Sequence, residues 1–148
     1  MYHHFRGKAD LALAAITRSA EEMRTGAEVM FSGPGTPVQR ITSYPHRERD
    51  ALRGCPVGRL TQDPDVMADP ALRRPVDEFF AWLRARIAGL VTEAQAKGEL
   101  DNALDPAATA TAIVAVLQGG YVIARAADDA DVCGQAVDGA LGMLASGH

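Results

Sequence analysis

Apolar residues recur along most of this chain at the three-and-four spacing of an α-helix, and proline, glycine and Asp-Pro pairs cut that pattern into segments. The first segment puts Leu13, Ile16, Ala20, Met23, Ala27 and Met30 on one stripe, with Glu21, Glu22, Arg24 and Glu28 mostly off it. It predicts a helix from about Lys8 to Phe31, ended by Gly33-Pro34-Gly35. Thr36-Pro37 supplies an N-cap and a proline at the first helical position, opening a short helix to about Tyr44. Pro45 breaks it, a further short helix is expected over His46–Arg53, and Cys55-Pro56 starts another through Leu60. Asp63-Pro64 restarts the chain once more.

Asp69-Pro70 caps a second long helix, whose stripe runs Leu72, Val76, Phe79, Phe80, Leu83, Ile87, Leu90, Val91 and Ala94 as far as Lys97-Gly98. Pro75 falls near its first turn, where a lost donor costs least. Asp105-Pro106 caps a third, to about Ala127, and a fourth runs from roughly Ala130 to Ala145. No stretch alternates with period two. The prediction is an all-α chain of four long helices and several short ones.

Composition adds two restrictions. The chain has 148 residues, one domain's worth, and aromatics are only 5% of it, which favours close-packed helices over sheet. A net charge of −4 argues against wholesale binding to nucleic acid but leaves room for a small basic patch. Two cysteines are too few for a disulfide framework, and the N-terminus has no apolar export signal, so a cytoplasmic protein is expected. From Pro106 to Ala124 no residue is charged. The run is mostly alanine, with threonines, Gln118 and Gly119-Gly120, and so predicts a helix buried in protein rather than a membrane span.

Candidate chemistry is sparse. His3 and His4 are adjacent and diverge on a helix, with no third ligand at helical spacing, so no metal site and no cofactor is predicted. Cys55 stands at a helix start, where a thiol can be activated, yet no histidine–acid pair accompanies it. A capping or buried cysteine is the better reading, and Cys133 reads as a small core residue. No catalytic constellation supports an enzyme. Phe79, Trp82 and Arg86 recur at helical spacing, and Gln118 and Tyr121 lie one turn apart on the next helix; together with Phe80 they are the candidate lining of a small-molecule pocket. The third long helix has no charged face for water, and Gly134, Gly139, Ala140 and Gly142 allow close approach on the fourth. An apolar patch of this kind marks an interface. The last two helices are therefore expected to form a twofold four-helix bundle in a homodimer, through Val114, Leu117, Val137, Gly139, Ala140 and Leu144.

The segment Tyr2-His3-His4-Phe5-Arg6-Gly7-Lys8-Ala9-Asp10-Leu11 resembles the point in TetR/AcrR-family regulators where the DNA-recognition helix ends and the next helix begins. Arg53-Gly54-Cys55-Pro56-Val57-Gly58, Gly98-Glu99-Leu100 and Leu117-Gln118-Gly119-Gly120 resemble the ligand-binding half of the LmrA/YxaF-like branch of that family. The resemblance implies a TetR-like C-terminal bundle and the same dimer. It also implies that residues 1–8 are the remnant of a recognition helix and turn and that 9–148 form a ligand-binding and dimerisation domain. Tyr2, His3 and Lys8 match family positions that touch DNA, mostly at phosphates. The function implied is the effector-binding part of a transcriptional regulator, a repressor released by a small apolar ligand. A helical small-molecule or protein-binding module without DNA binding is the alternative. Operator DNA is a partner only for a form with an intact helix-turn-helix. The 148-residue chain by itself should give no discrete gel-shift band that resists random competitor DNA at moderate, stated salt, because base reading needs a supported recognition helix.

Overall fold

Prolines, and the polar residue before each, set the helix boundaries. In a computed structural model describing residues 7–44 and 52–145, the chain forms α1 (Lys8–Phe31), α2 (Pro37–Ser43), α3 (Pro56–Arg59) with a 3₁₀ turn (Leu60–Gln62), α4 (Pro64–Ala68), α5 (Pro70–Ala96), α6 (Pro106–Ala127) and α7 (Asp131–Leu144). Thr36 and Gln39 form a reciprocal capping box at α2. Asp63, Asp69 and Asp105 each accept a backbone N–H at the start of α4, α5 and α6, with proline in the first turn. The expected all-α architecture is found, and the long helices begin and end within a residue or so of their predicted limits. The helix expected over His46–Arg53 falls largely on residues outside the described set, as do Tyr2 and His3.

The 27-residue α5 is the centre of the domain. Leu83, Ile87, Leu90 and Val91 on its stripe are almost completely buried, each worth about 1.5–3 kcal/mol relative to exposure. α1, α2, α4 and α6 pack on it, and α7 packs on α6. Two ion pairs fasten the outer helices to its polar edges. Arg86 Nε donates to Glu28 Oε2 of α1 at 2.9 Å. Arg40 of α2 donates to Glu93 Oε1 at 2.7 Å and to the Phe31 carbonyl at 3.2 Å, so one side chain ties α2 to α5 and to the end of α1. After α5, Gly98 takes a φ of +78°, a backbone shape glycine adopts without strain. Gln95 holds the following loop by donating to the carbonyls of Asp101 and Leu104.

α6 is long and apolar enough to cross a membrane by length and composition, yet it lies between α5 and α7. Gly120 makes that fit possible, since a Cβ there would meet Cys133 of α7 at 3.1–3.4 Å. This arrangement corrects part of the expected interface. Val114, Leu117 and Val137 are only 7%, 2% and 1% exposed and belong to the protomer's own core. The inward seam of α6 consumes them, because α5 and α7 together cover that whole side. Gly139 remains exposed, and Ala140 and Leu144 are half-buried. The outward face carries Val122 and Met143, 70% and 78% exposed. At Gly119, Gly139 and Gly142 a Cβ would meet nothing within 4 Å beyond its own stretch of helix backbone.

Leu83→Ala should lower stability by about 2–5 kcal/mol, read as a reduced urea midpoint at unchanged slope. The Arg86 and Arg40 guanidinium groups hold the Glu28 and Glu93 carboxyls below their ordinary range. A carboxylate whose folded value is depressed stabilises fully above its unfolded value and loses that contribution as pH falls through the folded one. Glu28→Gln/Glu93→Gln should therefore flatten the acid limb of the stability profile, and the effect should be modest because both carboxylates are well exposed.

Candidate binding cavity

Cys55 organises the local structure from which the site is built. It precedes Pro56 and caps α3, its Sγ accepting the Gly58 N–H at 3.2 Å. Its thiol also lies 3.8 Å from the Met23 sulfur of α1. Burial pushes the thiol up, against smaller opposing effects from the Gly58 N–H and the Gln118 side chain. Cys133 is pushed up to about 11 by burial alone. Both thiols are thus protonated and poor nucleophiles at neutral pH, which agrees with their reading as capping and core residues. Gln118 reaches from α6 across Gly58, whose missing side chain leaves room for the amide.

Two cavities adjoin here. One, of about 290 Å³, lies between α3, α5 and α6, with Cys55, Gly58, Phe80, Gln118 and Tyr121 among its walls and Arg59 and Arg125 lining it too. The other, of about 260 Å³, lies between α1 and the α2–α3 region and includes Met23, Gly26, Tyr44 and Pro56. Gly54 and Tyr121 line both, so a single aromatic ring and a turn of backbone stand where the two meet.

The six predicted pocket residues do not share one cavity. Gln118 and Tyr121 come together as expected. Phe79 is buried in the core seam of α5, and its neighbour Phe80 faces the cavity instead. One residue turns a helix by about 100°, and Phe79 lies on the Leu72–Val76–Leu83 line that meets the other helices. Trp82 and Arg86 line a separate open groove between α1 and α5. There the Arg24 guanidinium sits 4.9 Å over the Trp82 ring, and Arg86 is committed to Glu28. Trp82 is therefore no direct optical reporter of the cavity. Phe79 stands between the two sites, 5.4 Å from Phe80 and 6.2 Å from Trp82 between ring centroids.

Sequence reasoning singled out Phe80 but left out Gly58, Arg59, Val122 and Arg125 as lining residues. A signal existed for some: Gln118, Tyr121, Val122 and Arg125 form one stripe at spacings of three, one and three. For Arg59 and Gly58 there was none, since a four-residue helix has no period to read. Lys8, the remaining DNA-contact candidate among the described residues, is the exposed first residue of α1.

Comparison with known proteins sets this architecture among transcriptional regulators. The family described as tetracyclin repressor-like, C-terminal domain, matches residues 38–140. The transcriptional regulator AcuR of Cereibacter sphaeroides is 31% identical over 131 residues, covering 84% of this chain and 59% of that protein. The chain thus spans about three-fifths of the length of this curated relative. Among solved structures, a regulatory protein TetR from Rhodobacter sphaeroides superposes with a TM-score of 0.83 at 28% identity, covering 97% of this chain and 79% of that one. A TetR transcriptional regulator from Chloroflexus aurantiacus gives 0.78 at 28% identity, covering 96% and 74%. These relatives are regulators rather than enzymes.

The contact between Gly58 and Gln118 gives a direct test of the cavity wall. Gly58→Ala should destabilise the chain by displacing the Gln118 amide, whereas the same change in a Gln118→Ala background should cost markedly less. Thermal melts of the four proteins in a double-mutant cycle would show strong non-additivity, and additive losses would mean the two residues do not touch.

Proposed function

Because the chain belongs to the family of tetracyclin repressor-like C-terminal domains, we propose that it is the effector-binding and dimerisation part of a transcriptional regulator. In this reading the regulator is a repressor, active in the cytoplasm, that leaves its operator when a small, largely apolar molecule occupies the cavity between α3, α5 and α6. Residues 9–148 supply the effector and dimer functions. The first eight residues are the end of a DNA-recognition helix and its turn, with Tyr2, His3 and Lys8 among the phosphate contacts of an intact form.

The observation that carries this reading is the link from cavity to α1. Tyr121 and Gly54 border both cavities, and Cys55 beside them touches Met23 of α1. A molecule that displaces Tyr121 or the Cys55 turn acts on the middle of α1, a 24-residue helix that begins at Lys8. The far end of α1 is pinned through the Phe31 carbonyl by Arg40. A push at Met23 against a fixed Phe31 tilts the free end. In a dimer, such tilts alter the separation of two DNA heads, to which binding at paired half-sites is sensitive. The ligand shifts this balance only as far as it binds one arrangement better than the other.

The dimer is assigned to the outward faces of α6 and α7, around Val122, Gly139, Ala140, Met143 and Leu144. Burying that uncharged surface between two copies gives a twofold bundle. Sedimentation at micromolar concentration should show a dimer for the unmodified chain. Gly139→Arg should release monomer while leaving the helical circular dichroism intact, because a Cβ there would meet nothing within 4 Å beyond its own stretch of helix backbone. A monomeric unmodified chain would remove the dimer from this reading.

A further inference from the structure

The cavity between α3, α5 and α6 has an unusual charge for its setting. The chain carries 19 acidic and 15 basic residues apart from histidine. Yet two arginines, Arg59 from α3 and Arg125 from the last turn of α6, line this cavity, and among the described residues no aspartate or glutamate does. Three arginines elsewhere in the fold have carboxylate partners: Arg18 with Glu22, Arg40 with Glu93, and Arg86 with Glu28. Among the described residues, neither Arg59 nor Arg125 has one. Two acids close to them in sequence act instead as local turn caps. Asp63 accepts the Asp65 N–H and Asp129 accepts the Asp131 N–H, both at 3.0 Å.

Apart from the exposed Gln62, two other polar side chains around the cavity have internal roles. The Thr61 hydroxyl donates to the Gly58 carbonyl at 2.6 Å, and the Gln118 amide sits against Gly58 and Cys55. The charged groups that can meet a ligand there are a pair of guanidinium groups, which donate and never accept. They come from two different elements beside an apolar wall of Phe80, Tyr121 and Val122. A planar carboxylate matches the guanidinium fork in charge and geometry.

We propose that this cavity takes a small organic carboxylate, its charged end held between Arg59 and Arg125 and its apolar body laid on Phe80 and Tyr121. The inference rests on reading the cavity as the effector site and adds the chemical class of the effector. It also supplies a route for the signal. A ligand that bridges Arg59 and Arg125 draws α3 toward α6, and α3 begins at the Cys55 turn that touches α1.

The test uses the full chain with benzoate and benzamide, a pair of the same shape that differs in charge, followed by calorimetric titration and thermal shift. Benzoate should bind saturably and roughly tenfold or more tightly than benzamide, the scale expected of a charge-assisted contact. Its advantage should shrink as salt is raised. Arg59→Gln/Arg125→Gln should abolish the preference and leave benzamide binding unchanged, whereas Phe80→Ala should weaken both. Benzamide binding as tightly as benzoate, or arginine variants that leave benzoate affinity unchanged, would overturn the carboxylate assignment and leave the cavity standing as an effector site. Binding of neither molecule would overturn both.

Discussion

From Leu72 to Ala94, α5 presents one apolar stripe along its whole length, and α1, α2, α4 and α6 are each held against part of it. Burial of that stripe is the constraint from which the other positions follow. It is non-directional, so by itself it would let the outer helices slide. The ion pairs at its edges remove that freedom, Glu28–Arg86 on one turn and Arg40–Glu93 two turns further along. Exposed pairs of this kind contribute little to stability, and their value here lies in register. Arg40 is the better buried of the four partners, with its side chain 14% exposed, and it is the one that reaches a third element.

The cavity exists because α3 is short and begins with a turn. A four-residue helix cannot cover the side of α5 that Phe80 occupies, and the space left is bounded by the Cys55 cap, Gly58 and the Gln118–Tyr121 side of α6. The same elements that leave the gap also connect it to α1 through Met23. In the proposed reading, ligand binding and movement of α1 draw on one set of contacts, with no separate relay between them.

α6 serves two surfaces at once, and this explains its odd composition. One side meets α5 and α7, where Ala110, Ile113, Val114, Leu117 and Ala124 are buried. The other is left with Val122, Ile123 and glycine, uncharged but facing outward. A helix that must be apolar on nearly every side has no room for charge except at its end, where Arg125 stands beside the cavity.

The sequence by itself determined the helices, their limits and their order. Those depend on local chemistry: Asp-Pro and Thr-Pro caps, Gly98 and the Gly33–Gly35 turn, and apolar residues at period 3.6, all of which act within a few residues. It also brought Gln118 and Tyr121 together, since they share a helix face, and it placed both cysteines as inert. Tertiary structure decided which face of each helix looks where. Whether Phe79 or Phe80 meets the cavity depends on a rotation of about 100°, and the stripe of α5 is broad enough to admit either. Whether Val114, Leu117 and Val137 face a partner or the protomer depends on how deeply α6 is clasped by α5 and α7. That depth is set by Gly120 against Cys133, a contact between residues thirteen apart on different helices. Arg59 joins the cavity only when α3 docks beside α6, because charge has no periodicity to announce where it will be needed.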